Sequence, residues 1–457
     1  MKFVIPILYT EYGRYITRFR AIPFYIDCLI PAQRRLLLSA YDVARDKFVK
    51  SAKVVGYATG TYHPHGDQSV YGTLVKLVYN GFLDKQGNWG SDGLEDAPPA
   101  AFRYTECRLS KWVKEIAFKY IDYVPWQNFE YEDEPLYLPS PLPLGLIGHG
   151  IYTGIAVHRT QIPRYNISAL TKRLISLLNK NEEHPIIIPS ALNCSVIDNS
   201  STKDQFNSIL KTGIGIISYV PNGTIKNKKI RIQGRAPNSQ FNNLINDSDV
   251  NEKRKQKILE VTLTDLSRKG IDIEVTPDKR KIDITQLAQH IWEKYLIKSK
   301  NIAIITCNEI GNVVECGVDQ ILLTNYNAWQ YAVLQKNIKD CQNLFNKKKE
   351  MSVIYIIRQI IQKYNSKKVD DIIHKFNTDY TSSTIQLEKF NTDTDNWDIY
   401  NYNITDLDIK EICSKKSIKS LIEIEIDLSS IDSEINNQKN VIGNTPNECY
   451  QQLTTYL

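Results

Sequence analysis

The amino-acid sequence predicts an α+β protein of several domains. Its 457 residues are too many for one hydrophobic core and suit about two to four domains. Hydrophobic residues make up 42% and aromatic residues 10%, which supports folded cores and excludes a chain that is disordered throughout. Gly and Pro are frequent up to Pro277, whereas neither occurs between Gly317 and Gly443, and this favours helices in the last third of the chain.

Charge, cysteine content and hydropathy limit which partners, metal sites and compartments are expected for this protein. Lys and Arg total 57 against 51 Asp and Glu, and this net charge of +6 does not by itself identify a nucleic-acid partner. The 8 cysteines form no C-x-x-C pair, so we expect a reducing compartment without a zinc site or a disulfide framework. No apolar run approaches the roughly 18 residues of a membrane span, so no membrane partner is expected. The short apolar start predicts an ordered N-terminal arm at residues 1–15 and not a signal peptide.

The first region, residues 16–165, is predicted to carry helices in a basic setting. Pro31 suits the first turn of one helix, and Asp67 suits the cap of a second. Apolar residues between Leu109 and Tyr120 recur at helical spacing and predict a third. Helices joined by a Gly-containing connection beside basic residues indicate a helix-turn-helix.

The rest of the chain divides into a mixed region and a helical one. Residues 166–315 are predicted to mix strands and helices, with strands near 214–219, 229–233 and 270–275. Residues 316–457 are predicted to be mostly helical, although the polar stretch 377–405 is predicted to be a loop. The clearest helical stripe there consists of Val353, Ile354, Ile357, Ile360 and Ile361.

Basic residues are concentrated near the N-terminus. Nine cations stand against three Asp residues: Arg14, Arg18, Arg20, Arg34, Arg35, Arg45, Lys47, Lys50 and Lys53. Such density suits contacts with a phosphate backbone, and Lys53 is a candidate for one of them. A solvated helix face accounts for the same pattern, so both interpretations stay open at this point.

One tyrosine follows an arginine and precedes an amphipathic segment. Tyr104 is a poor nucleophile while protonated, because the reference pKa of a phenol is about 10. The guanidinium of Arg103, a base and a metal could activate it for attack on a phosphodiester, and the arginine could neutralise the transition state. The chain has 27 tyrosines, most of which serve packing, so this pair alone does not establish a site.

Two histidines flank a proline in a turn-forming segment. His63 and His65 could donate to phosphate oxygens or relay a proton. A metal site lacks a nearby third ligand with suitable spacing. Taken alone, this motif is better explained as a polar turn with one structural histidine.

These motifs occur together in one order, and the combination resembles a known family. The segments are Arg20-Ala-Ile-Pro23, Pro31-Ala-Gln-Arg-Arg35, Tyr62-His-Pro-His-Gly-Asp67, Asp84-x-Gln-Gly-Asn-Trp-Gly-Ser91, Ala101-x-Arg-Tyr-Thr-Glu106 and Ile162-Pro163. The sequence is therefore identified as resembling the breakage–reunion (A) subunit of type IIA DNA topoisomerases, as in DNA gyrase and topoisomerase IV. The motif similarity covers about residues 14 to 170, and beyond them only the layout is similar.

The resemblance implies a role for each matching residue. Tyr104 resembles the nucleophile that joins a 5′ phosphate and leaves a 3′ hydroxyl, and Arg103 resembles its activating partner. Three residues match positions that contact or polarise the cleaved phosphate: Arg20, His63 and His65. Arg34 and Arg35 match contacts to the DNA backbone. Ile162 resembles a wedge that enters a base step and bends the DNA.

The resemblance also implies the fold. It predicts a winged-helix (CAP-like) domain with the catalytic tyrosine at 16–165 and a mixed α/β tower at 166–315. A helical coiled coil with a C-terminal dimer gate is predicted at 316–457. Two chains are expected to pair through this gate as a symmetric homodimer.

Cofactors are expected to come from a second chain. The resemblance implies a mechanism that needs Mg²⁺ and ATP. The sequence has no P-loop and no Toprim pattern, so we expect this chain to bind no metal and an ATPase/Toprim (B-type) subunit to bind both, unless the sequence is one fragment of a longer protein. Because the chain stops at Leu457 without a DNA-wrapping domain, relaxation or decatenation is expected rather than supercoiling. A short separate subunit with a composition typical of an AT-rich genome resembles the phage and large-virus versions of these topoisomerases. The expected location is the cytoplasm of a bacterial or phage-infected cell, or the host cytoplasm or nucleus for a virus.

Two other functions fit parts of the sequence. A non-catalytic DNA-binding scaffold subunit would retain the gate fold without cutting DNA. A tyrosine recombinase would share the phosphotyrosine chemistry, but the order of motifs disfavours it. The leading prediction is a subunit of an ATP-dependent type II DNA topoisomerase, an isomerase that acts on double-stranded DNA.

Overall fold

The computed structural model describes most of the chain in two compact units. The described residues are 4–90, 98–129, 132–148, 150–155, 158–190, 194–234, 236, 241–251, 256–265, 272–279, 282–391, 394 and 396–455. One unit holds residues 1–329 and 450–457, and the other holds residues 330–449. Helices and small antiparallel sheets alternate along the chain, as the α+β prediction requires.

The first unit begins with helices. They are α1 (Val4–Ile16), which continues into a π-helical turn (Thr17–Ala21), α2 (Pro31–Val43), α3 (Ser51–Thr61), α4 (Asp67–Tyr79) and α5 (Lys111–Ala117). Pro31 opens α2 as predicted, because proline lacks the N–H that a first helical residue would leave unpaired. Asp67 is the first residue of α4 and not its cap, a position that Gly66 occupies. Helix α3 was not predicted from the sequence.

A three-stranded antiparallel sheet connects these helices to the Arg103–Tyr104 segment. Its strands are β1 (Val49–Lys50), β2 (Leu83–Gln86) and β3 (Glu106–Leu109), in the order β1-β3-β2. Cys107 of the central strand pairs with Val49 on one side and Lys85 on the other. The predicted third helix therefore begins later than expected, because Leu109 belongs to β3.

Two hairpins and two helices complete the N-terminal part of this unit. They are β4 (Trp126–Phe129) with β5 (Glu132–Pro135), α6 (Leu144–Ile147), β6 (Ile151–Ile155) with β7 (His158–Ile162), and α7 (Ile167–Leu178). Asn166 caps α7 by accepting from the N–H of Ser168 at 2.9 Å.

The region that follows contains the predicted mixture of strands and helices. A sheet of order β16-β9-β8 is formed by β8 (Cys194–Val196), β9 (Ile214–Pro221) and β16 (Lys298–Ala303). A second sheet of order β10-β11-β15-β14 contains β10 (Gly223–Lys226), β11 (Lys229–Ile232), β14 (Val261–Asp265) and β15 (Ile273–Pro277). The other elements are α8 (Ser200–Thr212), α9 (Phe241–Ser248), β12 (Val250–Asn251), β13 (Gln256–Lys257), α10 (Ile284–Ile291), β17 (Ile305–Cys307) and β18 (Val313–Glu315). The strands predicted near 214–219 and 229–233 are confirmed, and the one near 270–275 begins at Ile273.

The C-terminal third is mostly helical, as predicted. Its elements are α11 (Val318–Tyr364), α12 (Val369–Asp379), β19 (Thr384–Asn391), β20 (Asn396–Asn403), α13 (Asp406–Lys415), α14 (Ile418–Glu423) and α15 (Leu428–Thr454). The predicted stripe from Val353 to Ile361 lies in the core of the second unit. The loop predicted at 377–405 is wrong, because β19 and β20 form a hairpin there.

Candidate active site

Tyr104 lies at the end of a tight turn that precedes β3. Its backbone N–H donates to the carbonyl of Ala101 at 2.8 Å, which closes the turn. The tyrosine side chain is 63% exposed, whereas most large hydrophobic side chains of this unit are buried. The fold therefore presents this phenol to solvent and does not use it for packing.

The N-terminus of α3 holds this turn in place. The N–H of Ser51 donates to the carbonyl of Thr105 at 2.9 Å, and the N–H of Ala52 donates to the carbonyl of Phe102 at 3.1 Å. The first N–H groups of a helix have no partner within the helix, so the carbonyls on either side of Tyr104 satisfy two of them. The position of the phenol is thus tied to a helix end.

Buried hydroxyl groups support the turn from below. Thr105 Oγ1 donates to Ser51 Oγ at 2.8 Å and lies 3.1 Å from the hydroxyl of Tyr71, which in turn donates to the carbonyl of Ala100 at 2.6 Å. Thr105 and Ser51 are fully buried. The sequence did not predict this network, although Thr105 directly follows the candidate nucleophile.

A glycine allows a neighbouring loop to approach the turn closely. A Cβ atom on Gly87, which follows β2, would lie 3.1 Å from the carbonyl oxygen of Tyr104. The φ angle of Gly87 is +95°, a conformation that other residues rarely adopt. A side chain at position 87 would therefore strain the backbone and require the Tyr104 carbonyl to shift by a few tenths of an ångström.

Arg103 acts directly on the phenol of Tyr104. Its guanidinium carbon lies 4.7 Å from the centre of the tyrosine ring. A hydrogen bond from Arg103, and then its positive charge, lower the pKa of Tyr104 from the ordinary value. A lower pKa increases the fraction of phenolate, which is the nucleophilic form.

The two predicted histidines stack on each other directly after α3. The rings of His63 and His65 lie 4.0 Å apart at an interplanar angle of 8°. His63 is only 7% exposed, and its Nδ1 lies 3.1 Å from Nη1 of Arg35. Burial, followed by the charges of His65, Arg35 and Arg20, lowers the pKa of His63 to about 3. His63 is therefore neutral at pH 7.

Arg20 belongs to the same group of side chains. It lies in the π-helical turn Thr17–Ala21, is exposed, and has its guanidinium carbon 5.7 Å from the ring centre of Tyr15. Its charge contributes to the lowered pKa of His63. Lys53 is also exposed, on α3.

Arg34 and Arg35, the predicted contacts to the DNA backbone, are buried in ion pairs. Arg34 donates to both carboxylate oxygens of Asp27 at 2.8 Å, and Arg35 donates to both oxygens of Glu134 at 2.6 and 3.0 Å. All four side chains are buried. Both guanidinium groups thus form buried ion pairs in this chain, because a guanidinium removed from water needs a carboxylate partner.

Ile162, the predicted wedge, is buried as well. It is fully buried at the end of β7, where it pairs with Ile151. A wedge must be exposed to enter a base step, so this conformation does not present Ile162 to DNA.

The candidate nucleophile and the histidine pair lie at the two ends of α3. Tyr104 and Arg103 lie at its N-terminus, through the contacts of Ser51 and Ala52. The histidine pair follows its C-terminus, where the N–H of His63 donates to the carbonyl of Ala58. The helix has 11 residues, so its ends are about 16 Å apart.

The described part of the chain offers no obvious metal site or membrane segment. Within it, no group of three or more His, Cys, Asp or Glu side chains is arranged to hold a metal ion. Nor does any helix in these ranges combine the length and apolar character needed to cross a membrane.

Comparison with known proteins supplies the family of the chain. The sequence model of the DNA gyrase/topoisomerase IV A-subunit family matches residues 20–448. The DNA topoisomerase 4 A subunit of Neisseria gonorrhoeae is 39% identical over 186 residues, which cover 38% of this chain and 23% of that protein. Its counterpart in a Synechocystis strain is 38% identical over 188 residues, covering 38% of this chain and 20% of that protein. The DNA gyrase A subunit of Dehalogenimonas lykanthroporepellens is 36% identical over 189 residues, covering 38% and 22% of the two chains. The matched segment thus spans less than a quarter of each of these relatives.

Proposed function

The chain belongs to the DNA gyrase/topoisomerase IV A-subunit family, and from this premise we propose that it is the breakage–reunion subunit of an ATP-dependent type II DNA topoisomerase. The observation that carries the proposal is the Arg103–Tyr104 pair on an exposed and firmly anchored turn. A solvent-facing phenol with a lowered pKa is better suited to covalent attack than to a packing role.

The proposed reaction is a reversible transfer of a phosphodiester bond. Tyr104 loses its proton to water, and its phenolate oxygen attacks a backbone phosphorus. A bond then forms between tyrosine and the 5′ phosphate while the bond to the 3′ oxygen breaks, and that oxygen takes a proton from water. Arg103 stabilises the added negative charge at the phosphorus. Reversal after a second duplex has passed restores the DNA, which results in relaxation or decatenation.

The imidazole pair and Arg20 are proposed to bind the same phosphate from a second chain. Groups that act on one phosphorus must lie within hydrogen-bond reach of it, about 2.6–3.2 Å. The length of α3, with 11 residues, separates the phenol from the imidazoles by about 16 Å within one chain. In a symmetric dimer the same surface of each chain faces the other chain in the opposite direction. The N-terminal end of α3 in one chain can then lie beside the C-terminal end of α3 in the other, so that Tyr104 of one chain meets His63 of its partner.

The fold supports assignment of the family's domains to this chain. We propose a winged-helix domain at 16–165, a tower at 166–315, and a coiled coil with a dimer gate at 316–457. The small β1-β3-β2 sheet beside α3 and α4 supports the first, and the 47-residue helix α11 supports the last. Exposed apolar side chains in the second unit favour an interface there: Ile399, Tyr400, Leu407 and Ile422.

The partner is proposed to be an ATPase/Toprim (B-type) subunit that binds Mg²⁺ and ATP. Mg²⁺ held by its carboxylates would neutralise charge on the reacting phosphate. This chain contributes the phenol, the guanidinium groups and the imidazoles. We propose that the assembly acts on DNA in the cytoplasm of a bacterial or phage-infected cell.

Trapping of the covalent intermediate tests the proposal. The chain, its B-type partner, Mg²⁺ and supercoiled plasmid are incubated and then denatured, and we expect linear DNA that carries protein. Tyr104→Phe should abolish this adduct while DNA binding persists. Tyr12→Phe is a matched control, because Tyr12 is similarly exposed at 58%.

Two results would contradict the proposal. An adduct retained by Tyr104→Phe would move the nucleophile to another residue. DNA binding by the wild-type assembly without any adduct would favour the non-catalytic scaffold.

A further inference from the structure

Arg35 connects a buried carboxylate to the histidine pair. Its Nε and Nη2 donate to Glu134, while Nη1 donates to the carbonyl of Phe19 at 3.3 Å and lies 3.1 Å from His63 Nδ1. Arg35 is 1% exposed and Glu134 is 3% exposed. The guanidinium is therefore held on every edge, with the imidazole as one of its partners.

Further contacts fix the orientation of this guanidinium. Glu134 also accepts from Gln127 Nε2 at 3.1 Å, and Gln127 Oε1 accepts from Arg18. The ring of Phe129 lies 3.9 Å from the guanidinium carbon of Arg35. The hairpin β4–β5, which carries Gln127, Phe129 and Glu134, thus forms the support of the arginine that touches His63.

The chemistry of arginine determines which nitrogen of His63 carries a hydrogen. A guanidinium has N–H donors and no acceptor, so Nδ1 of His63 must accept in this contact. The hydrogen of a neutral ring then resides on Nε2. The titratable and charged groups around the ring are His65, Arg35 and Arg20, with Glu134 behind Arg35. Burial, followed by the interactions with His65, Arg35 and Arg20, disfavours a second proton on His63.

We propose that Glu134 and Arg35 are positioning residues that hold His63 as the neutral ring with its hydrogen on Nε2, so that His63 donates a hydrogen bond to the phosphate and does not act as the base that deprotonates Tyr104. This inference rests on the proposed function, since it assigns a role within that reaction. Nε2 already carries a hydrogen in this form, so it has no lone pair with which to accept the phenol proton.

The nitrogen resonances of the histidines provide a direct test in the unmodified chain. The full chain is labelled with ¹⁵N-histidine, and His63→Gln identifies the His63 signals. We expect the Nε2–H pattern at pH 7, and we expect it to persist to about pH 5 because His63 has a pKa of about 3. An Nδ1–H pattern, or a ring that becomes doubly protonated above pH 6, would overturn the proposal.

Substitutions of His63 separate a donor from a base. Glutamine retains an N–H donor of similar reach and does not titrate. In the cleavage assay, His63→Gln should keep the rate within about tenfold of wild type, whereas His63→Ala should lower it about 100-fold, as loss of one transition-state donor does. Equal losses in both variants, together with loss of the acidic limb of the pH profile, where a base loses its proton, would show that His63 is a base.

A matched pair of variants tests Glu134. Glu134→Gln removes the carboxylate that orients Arg35, and we expect mixed His63 tautomers and slower cleavage. Asp319→Asn breaks another bidentate pair, that with Arg173 at 2.6 and 2.8 Å, and should leave the His63 signals unchanged. Unchanged His63 signals in Glu134→Gln would remove Glu134 from the proposal. The wild-type spectra decide the tautomer even if either variant fails to fold.

These results are separable from failure of the proposed function. DNA binding by the wild-type assembly without any adduct would refute the proposed function, whereas the tautomer measurement would stand. An Nδ1–H ring in an assembly that forms Tyr104 adducts would refute only the present inference.

Discussion

The N–H of Ser51 donates to the carbonyl of Thr105 at 2.9 Å, and the Oγ of Ser51 accepts from Thr105 Oγ1 at 2.8 Å. Two residues that are 54 positions apart thus share a backbone and a side-chain hydrogen bond. Because Thr105 follows Tyr104 directly, this double contact connects the candidate nucleophile to the start of α3. The geometry of the site therefore depends on residues that never touch the substrate.

Thr105→Val should loosen this connection. The change leaves buried hydroxyls of Ser51 and Tyr71 without one partner, at a cost of about 1–3 kcal/mol in the free energy of unfolding. The amount of covalent adduct should decrease by more than the decrease in the folded fraction, because the turn that carries Tyr104 loses its support. Urea denaturation and the cleavage assay measure the two effects. Thr171→Val, which removes a buried helix hydroxyl bonded to Ile167, is the control and should retain cleavage.

Arg103→Ala should shift the pH dependence of cleavage. Arg103 lowers the pKa of Tyr104, so its removal raises that pKa towards the ordinary value and decreases the phenolate fraction at a given pH. We expect the cleavage rate at pH 7 to decrease by about 100-fold or more and the pH profile to move to higher pH. Lys111→Ala removes an exposed cation and should leave the profile in place. A profile unchanged in Arg103→Ala would contradict the assigned role.

Mixed dimers test whether the site combines two chains. A Tyr104→Phe chain paired with a His63→Ala chain contains one complete phenol–imidazole combination only if the two groups come from different chains. We expect adducts on the His63→Ala chain at the wild-type rate, as single-strand nicks. Each variant alone as a homodimer serves as the reference. If the mixed dimer forms adducts only at the rate of the His63→Ala homodimer, the phenol and the imidazole of one site come from the same chain.

Acid should destabilise the first unit through His63. The pKa of His63 is about 3 in the folded chain and about 6.5 in an unfolded chain, so the unfolded state binds the extra proton as the pH decreases through 6.5. The stabilisation from the neutral ring is complete above pH 6.5 and is lost progressively towards pH 3, by at most about 1.4 kcal/mol per pH unit. His63→Gln should flatten this dependence between pH 7 and pH 5 in urea denaturation. Parallel slopes for the two proteins would argue against a buried neutral His63.

Removing the charge of Lys53 should affect DNA binding, whereas removing the charge of Arg34 should affect folding stability. Lys53 is exposed, so Lys53→Gln should reduce the slope of log affinity against log salt by about 0.9 without a change in stability. Arg34 is buried against Asp27, so Arg34→Met should destabilise folding by about 3–5 kcal/mol. Filter binding across a salt series and urea denaturation measure these effects. A reduced salt slope in a folded Arg34→Met chain would restore Arg34 as a phosphate contact.

The fold could be predicted where apolar residues recur at the spacing of either a strand or a helix. The strands at 214–219 and 229–233 and the stripe from Val353 to Ile361 follow such periods, and the structure confirms them. Helix α3 was missed because Gly56 and Gly60 lower helix propensity, whereas burial of its apolar side chains overrides that cost. The β19–β20 hairpin was missed because the residues around Ile385 and Leu387 are polar.

The sequence by itself determined the order of the motifs and the covalent neighbours within them. It placed Arg103 next to Tyr104, and it placed two histidines around a proline. Only the tertiary structure decided which cations remain exposed to solvent. Glu134 lies 99 residues from Arg35, and the chain must fold before this carboxylate can remove the guanidinium from the surface and present it to His63. A buried charge is stable only beside its partner, so the role of each arginine depends on distant segments that a local pattern does not contain.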